Sequence, residues 1–278
     1  MKNILKAATV LGGAYVVLKG LDDKLEVTRY EISSSKIPAD FDGFKIVQIS
    51  DVHSDIVPGL FDAIKGEKPD IIVSTGDLVH HDGEYTKSLD FCRELLSLAP
   101  IYAVTGNHDL WRGDYKDFER ELWDIGVYTL HSNNVIIHRK SSAISLYGID
   151  DPLSVTTKNI NAFLDKEASK LKPFDGYKIF LFHRANWLDY FKDYDFDLIL
   201  SGHMHGGQLR IPGVGGFVAP RSSWSDKNSM LFPKYFGGYY EFADTKMIVS
   251  RGLGNPMIIP RIFNRRELVS ITLKHKEI

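Results

Sequence analysis

The sequence predicts an α/β protein: two mixed sheets packed face to face with helices outside, a four-layer α/β/β/α sandwich. Three observations carry this. Short apolar, β-branched runs alternate with amphipathic helical stretches over residues 45–125 and again over 178–200, as in parallel strands joined by right-handed crossovers. A stretch of short strands separates the two blocks. Five of the runs stop abruptly at small residues followed by Asp, Asn or His, and the strand tips of α/β sheets are where such folds collect their chemistry.

Composition sets the bounds. At 278 residues with 44% hydrophobic and 25% charged residues, the chain has enough apolar material for one large α/β domain. A formal net charge of -2 leaves no basic footprint, so nothing indicates nucleic acid as a partner. The single cysteine, Cys92, excludes an internal disulfide and a thiolate zinc site, and its helical neighbours Leu89, Leu95 and Leu96 mark it as a core thiol.

Taken in order, the chain opens with Lys2 and Lys6, an apolar run from Ala7 to Leu18, and Lys19. The run falls short of the ~20 residues of a comfortable span. Residues 1–20 are expected to act as a membrane anchor or signal-anchor, with a cleaved signal or a loosely packed helix as alternatives. Residues 21–278 are expected to form the folded domain. Leu25 to Ile32 alternates as a strand with one wet face. Lys45–Ser50 is a buried strand, Pro58 opens a helix to about Lys65, and Ile71–Thr75 is the next strand. Tyr85–Leu98 is helical, stopped by Pro100. Ile101–Val104 is a strand, and Asp114–Ile125 a helix. Val127–Leu130, Val135–Arg139 and Ala143–Tyr147 read as short strands, with Ser132-Asn133-Asn134 as a hairpin turn. A helix over Ile160–Leu171 precedes the second block: strand Lys178–Phe182, helix Trp187–Phe191, strand Asp197–Leu200. Strands are expected at Gln208–Ile211, Gly238–Phe242, Met247–Ser250 and Leu268–Leu273.

The strand ends deliver Asp51 and His53, then Asp77, then Asn107, His108 and Asp109, then His183, and finally His203 and His205. Taken singly, Asp51, Asp77 and Asn107 also fit turn or cap roles. Together, Asp51, His53, Asp77, Asn107, His183, His203 and His205 offer oxygen and imidazole donors without a thiolate. That donor chemistry suits Mn²⁺, Fe²⁺ or Zn²⁺. Seven donors exceed what one transition ion with an open position takes, and suit two divalent metal ions sharing a carboxylate. Two carboxylates leave such a pair positively charged, which favours a phosphate. Asp51 and His53 lie two residues apart, as do His203 and His205, and Gly76, Gly106, Gly202, Gly206 and Gly207 let the backbone pass close by.

Ser50-Asp51-Val52-His53, Gly76-Asp77, Gly106-Asn107-His108-Asp109, His183 and Gly202-His203-Met204-His205 resemble the five ordered motifs of the calcineurin-like metallophosphoesterases, over about residues 44 to 207. The resemblance implies that Asp51, His53 and His205 hold one metal, Asn107, His183 and His203 the other, and Asp77 bridges them. It implies a bridging hydroxide as nucleophile. His108 would protonate the leaving oxygen or stabilise phosphoryl charge, with Asp109 orienting its ring. The tail, with Gly206-Gly207-Gln208, Gly237-Gly238-Tyr239, Ser250-Arg251-Gly252-Leu253-Gly254 and Pro260-Arg261 to Glu267, resembles a membrane-associated branch of YkuE- and YaeI-like phosphodiesterases, related to a UDP-2,3-diacylglucosamine pyrophosphatase. Two departures stand out: Arg184-Ala185 follows His183, and Arg266 precedes Glu267 where a proline is usual. The implied reaction is hydrolysis of a phosphodiester or pyrophosphate in a phosphorylated small-molecule, lipid-linked or nucleotide-linked substrate, with phosphomonoester or phosphoprotein hydrolysis, or a non-catalytic metal-stabilised scaffold, as alternatives. Arg184, Arg251 and His81 are candidate substrate contacts, with His80 beside them as loop or contact. Residues from Ile211 to Trp224 read as an apolar lip toward a lipid tail or membrane surface, or as a buried loop.

Overall fold

The computed structural model describes residues 16–152, 159–191, 193–218, 220, 231–256 and 259–277. Its strands are β1 (Glu26–Ser34), β2 (Lys45–Ile49), β3 (Ile71–Ser74), β4 (Ile101–Ala103), β5 (Tyr128–Thr129), β6 (Asn133–Arg139), β7 (Ser142–Gly148), β8 (Lys178–Arg184), β9 (Leu198–Gly202), β10 (Arg210–Ile211), β11 (Gly215–Gly216), β12 (Gly238–Phe242), β13 (Thr245–Val249) and β14 (Glu267–His275). The helices are α1 (Leu60–Glu67), α2 (Thr86–Leu96), α3 (Asn107–Leu110), α4 (Tyr115–Ile125) and α5 (Ile160–Ala168).

Two six-stranded sheets result, ordered β1-β14-β2-β3-β4-β5 and β12-β13-β9-β8-β7-β6, with β10-β11 as a separate hairpin. In the first sheet β2, β3 and β4 run parallel, as expected of two crossovers, β5 continues them in parallel, and β14 is antiparallel to β2. In the second, β7, β8, β9 and β13 are parallel, and antiparallel β6 and β12 close the edges. Both sheets are therefore mixed.

Side-chain alternation builds the layers. Ile46, Ile71 and Val73 of the first sheet meet Ile144, Leu146, Ile179, Leu181, Leu198 and Leu200 of the second in one buried cluster between the sheets. Their neighbours in sequence face outward. Val47, Ile49 and Ile72 pack under Leu60 and Ile64 of α1, Leu89, Cys92 and Leu95 of α2, and Phe118 and Leu122 of α4. Phe180, Phe182, Ile199 and Val249 pack under Ile160 and Leu164 of α5 and Leu188 and Phe191 of the 3-10 helix at Ala185–Phe191. This is the four-layer sandwich. Cys92 is buried, and burial pushes its thiol up to about 12.

Several boundaries moved for local reasons. Gly59 sits in the left-handed region at φ 79, so α1 starts after it rather than at Pro58. The helix expected to reach Leu171 ends at Ala168, where the Ser169 hydroxyl donates back to the Lys166 carbonyl and the chain continues in i→i−3 turns. Asn133 and Asn134 are not a hairpin turn. They open β6, and residues 130–132 carry the chain from the first sheet to the second; the tight turn lies at Lys140-Ser141. The last strand, expected in sequence at Leu268–Leu273, is inserted between β1 and β2. The first fifteen residues of the 1–20 segment lie outside the described residues, as do 219 and 221–224 of the apolar lip. Within the described part of that lip, Ile211 and Val214 are exposed and Phe217 packs edge-on against Phe232.

Candidate metal centre

Strands β2, β3, β8 and β9 end on the same edge of the sandwich, and the loops after them lie side by side. The Asp51 N–H donates to the Gly76 carbonyl, the His53 N–H to the Asp77 carbonyl, and the Leu253 N–H to the Ser50 carbonyl, each at 3.0 Å. The chain must turn sharply at these tips, and Asp51, His53, Asp77, His203 and His205 all take positive φ between 46° and 73°. A non-glycine residue there carries strain of about 1–2 kcal/mol. Five such residues in one site mark it as a place where side-chain direction outweighs backbone comfort.

The candidate ligand atoms cluster. Asp51, His53 and His205 form one grouping, Asp77, His183 and His203 another, each with ligand atoms within 4.8 Å of one another. His53 Nε2 and His205 Nε2 are 3.3 Å apart, and His205 Nε2 is 3.5 Å from Asp51 Oδ1. On the other side, His183 Nε2 and His203 Nδ1 are 3.1 Å apart. Asp77 Oδ2 stands 3.3 Å from His183 Nε2 and 3.7 Å from His53 Nε2, between the two groupings. All are buried, and Asn107 joins them at the start of α3 with its Oδ1 buried and, among the described residues, without a hydrogen-bond partner. An acceptor left that way costs about 1–3 kcal/mol; a cation beside it removes the cost. That orphan oxygen, the lack of any thiolate and the two carboxylates among four imidazoles fit a pair of divalent ions.

Electrostatics point the same way. Burial pushes the Asp51 carboxyl up to about 6, partly offset by His183 and reinforced by Asp77. Burial also pushes Asp109 up to about 7, with Asp77 adding to it. Burial alone would lower His183, but Asp77 and then Asp51 outweigh it and lift the imidazole to about 10. Protein alone thus meets this anionic pocket by placing a proton on His183, and a dication between Asp77 and His183 would take that proton's place. His183 Nδ1–H donates to the Thr75 carbonyl at 2.7 Å, which leaves Nε2 as the ligand atom.

Three expectations need correction. Asp109 does not orient His108. Its oxygens accept N–H bonds from Asp77 (2.7 Å), Gly106 (2.8 Å) and Val79 (3.1 Å), so it ties the two ligand loops together instead. Arg184 points away from a substrate role. Its guanidinium is buried and forked onto Asp151 at 2.6 and 3.0 Å, over the Trp187 ring. Arg251 binds Glu26 at 2.7 Å and Glu267 at 2.9 Å, which fastens the β1–β14 edge. His81 does sit at the cleft, its Nδ1 3.0 Å from His108 Nδ1. Arg266, the departure noted before Glu267, pairs with Asp55 at 2.5 Å and the Leu253 carbonyl at 3.0 Å.

Sequence reasoning missed Arg261 and Asn264 as supports. Arg261 is buried, donates to the Gly254 carbonyl at 2.6 Å and lies 3.4 Å from His205 Nδ1. Asn264 donates to the His205 carbonyl at 2.6 Å. Both lie within the tail stretch from Pro260 to Glu267, but nothing in their spacing connects them to His205. Breaking the Arg184–Asp151 pair offers a stability check: Asp151→Ala removes the buried carboxylate that two guanidinium nitrogens bond and should destabilise the fold, by no more than the ~3–5 kcal/mol of a broken buried pair, read as a lower urea midpoint.

Two groupings of buried imidazoles and carboxylates with Asp77 Oδ2 between them, set at the strand tips of a two-sheet sandwich, have the donors that a metallohydrolase site needs. The chain belongs to the calcineurin-like phosphoesterase family, whose profile matches residues 44–207. It is similar to an uncharacterized metallophosphoesterase of Bacillus subtilis, YkuE: 30% identity over 280 residues, covering 96% of this chain and 92% of that one. Phosphodiesterase YaeI of Escherichia coli is 31% identical over 222 residues, 76% of each chain. A Danio rerio transmembrane protein with metallophosphoesterase domain is 27% identical over 265 residues, 90% of this chain and 57% of that one. The protein is a metallophosphoesterase, a hydrolase whose family works with divalent metals. Among the described residues, no helix is long and apolar enough to cross a membrane.

Proposed function

We propose that the protein hydrolyses phosphodiester or pyrophosphate bonds with two divalent ions, Mn²⁺, Fe²⁺ or Zn²⁺, held by Asp51, His53 and His205 on one side and Asn107, His183 and His203 on the other, with Asp77 shared. The carrying observation is the place of Asp77 Oδ2 between the two imidazole groups. When bound, the ions supply an acidified water and a positive clamp for phosphoryl oxygens. The chain supplies the rest. Asp109 locks the Asp77 and Gly106 loops, Thr75 fixes the His183 tautomer, and the buried cleft excludes competing water. The diester reading is supported by the likeness to a protein named phosphodiesterase YaeI.

His108 faces the same cleft, its N–H donating to Asp77 Oδ1 at 2.7 Å. Burial pulls its imidazole down to about 4, against the opposing pull of Asp77. Above that pH the ring is neutral, with one proton to offer. It therefore acts as a hydrogen-bond donor to a phosphoryl oxygen rather than as an imidazolium releasing a proton to the leaving group. His108→Ala should lower kcat by roughly 10²–10³-fold, equally for good and poor leaving groups. A loss that grows with leaving-group pKa would restore the general-acid role.

The substrate is read as phosphorylated, and lipid-linked or nucleotide-linked. The apolar run of 1–20, the exposed Ile211 and Val214, and the likeness to a protein named as transmembrane support work at a membrane surface. Purified protein with Mn²⁺ should turn over bis-p-nitrophenyl phosphate faster than p-nitrophenyl phosphate, and full-length protein should sediment with membranes. Preference for the monoester would favour the phosphomonoesterase reading; wholly soluble protein would remove the anchor.

A further inference from the structure

Three more imidazoles converge at the mouth of the cleft. The rings of His80, His81 and His108 lie 4.4, 4.9 and 5.0 Å apart by centroid, and one nitrogen of each falls within 4.8 Å of the others. We propose that they form a third site, for a single borderline transition ion such as Zn²⁺. Calling it third rests on the dinuclear reading of the buried groupings; the site itself does not.

Geometry and chemistry agree on the ion. His81 Nδ1 and His108 Nδ1 are 3.0 Å apart. Two imidazole nitrogens on one tetrahedral zinc, each bonded at about 2.0–2.1 Å, sit about 3.3 Å from each other. Little motion separates the observed pair from a coordinated one. The Nδ1 of His80 bonds the Asp82 carboxylate, which assigns His80 Nε2 as the free donor, in the carboxylate–histidine–metal arrangement of metal sites. Three imidazoles favour zinc and its neighbours over Mg²⁺ or Ca²⁺. Trp111, itself half-exposed, walls the cluster, its ring 5.7 Å from His81 and 4.7 Å from His108. Three protein donors leave a fourth tetrahedral position for water or a phosphate oxygen.

This site differs from the buried pair in strength and in consequence. It has partly exposed histidine ligands and no carboxylate among them, so it binds more weakly. It also shares a residue with the main cleft, because His108 groups with His53 and Asp77 as well. An ion at the mouth holds the Nδ1 of His108 and so couples metal supply to the cleft.

The test is equilibrium dialysis of untagged, chelator-treated full-length protein against Zn²⁺ alone, repeated with Co²⁺ for its visible spectrum. Wild type should bind two ions tightly and one more weakly. The His80→Ala/His81→Ala double variant should lose only the weak equivalent, with an unchanged circular dichroism spectrum. Asp82→Asn should keep that equivalent with roughly 10–100-fold lower affinity. Asp77→Asn should lose the tight pair and retain the weak ion. No weak equivalent in wild type, or one that survives in the double variant, overturns the proposal. A tight pair that survives Asp77→Asn would overturn the dinuclear reading and leave the third site standing.

Discussion

Asp77→Asn should strip both metals and lower kcat by roughly 10³-fold or more, beyond the 10²–10³-fold typical of losing one electrostatic contact. The substitution is nearly isosteric. An Asn side-chain oxygen can still accept the His108 N–H that Asp77 Oδ1 accepts at 2.7 Å, so the loop need not move. What disappears is the charge between His53 and His183, among the described residues the one carboxylate within 4 Å of an imidazole from each grouping. His53→Asn and His183→Asn each touch one grouping and should release one ion. Metal content by emission spectroscopy, measured beside kcat, separates the cases. If His53→Asn removes as much metal as Asp77→Asn, Asp77 is not the shared ligand.

The strand tips were legible because two periodicities were. Ile71, Ile72 and Val73 and the run Ile179 to Phe182 are apolar at every position, which is what a strand buried on both faces requires. The donor residues follow those runs directly, and residue type with position sufficed to gather them. Partnership was not legible. Asp109 sits next to His108 in the chain, yet its carboxylate is drawn to the N–H groups of Asp77, Val79 and Gly106, the first two on a loop that turns at positive φ at Asp77. Arg184 follows a candidate ligand, but Asp151, 33 residues earlier, holds it. The place of β14 could not be read either, since a strand's neighbours depend on contacts between distant segments, and pairing with both β1 and β2 leaves no local mark. The turn chemistry of Asn133-Asn134 misled for a related reason: the chain changes sheets there, so the two flanking runs never pair.

Gly106→Ala should cost the site more than any single imidazole supporting group. Gly106 has φ -106 and ψ 179, a conformation open to alanine, so the backbone supplies no objection. The objection is steric and local. A Cβ there would stand 2.1 Å from Asp77 Oδ1 and 2.5 Å from Asp77 N. Neither can give way cheaply. The same Asp77 N–H is held by Asp109, and the loop behind it is pinned where Gly76, at φ 96, passes within 2.6 Å (by its own absent Cβ) of the Gly106 nitrogen. The carboxylate must therefore swing, and both groupings lose it together. Metal affinity should fall by at least the 10–100-fold seen when ligand supports are removed, with activity following, while the sheets and their helices remain folded because the clash lies outside every apolar cluster. Gly126→Ala is the contrast. Its Cβ meets nothing within 4 Å, but its φ of 100 is the left-handed cap of α4. It should cost about 1–2 kcal/mol of stability and leave metal content and kcat untouched. Were the two variants to lose activity alike, the effect at Gly106 would be general destabilisation and not displacement of Asp77.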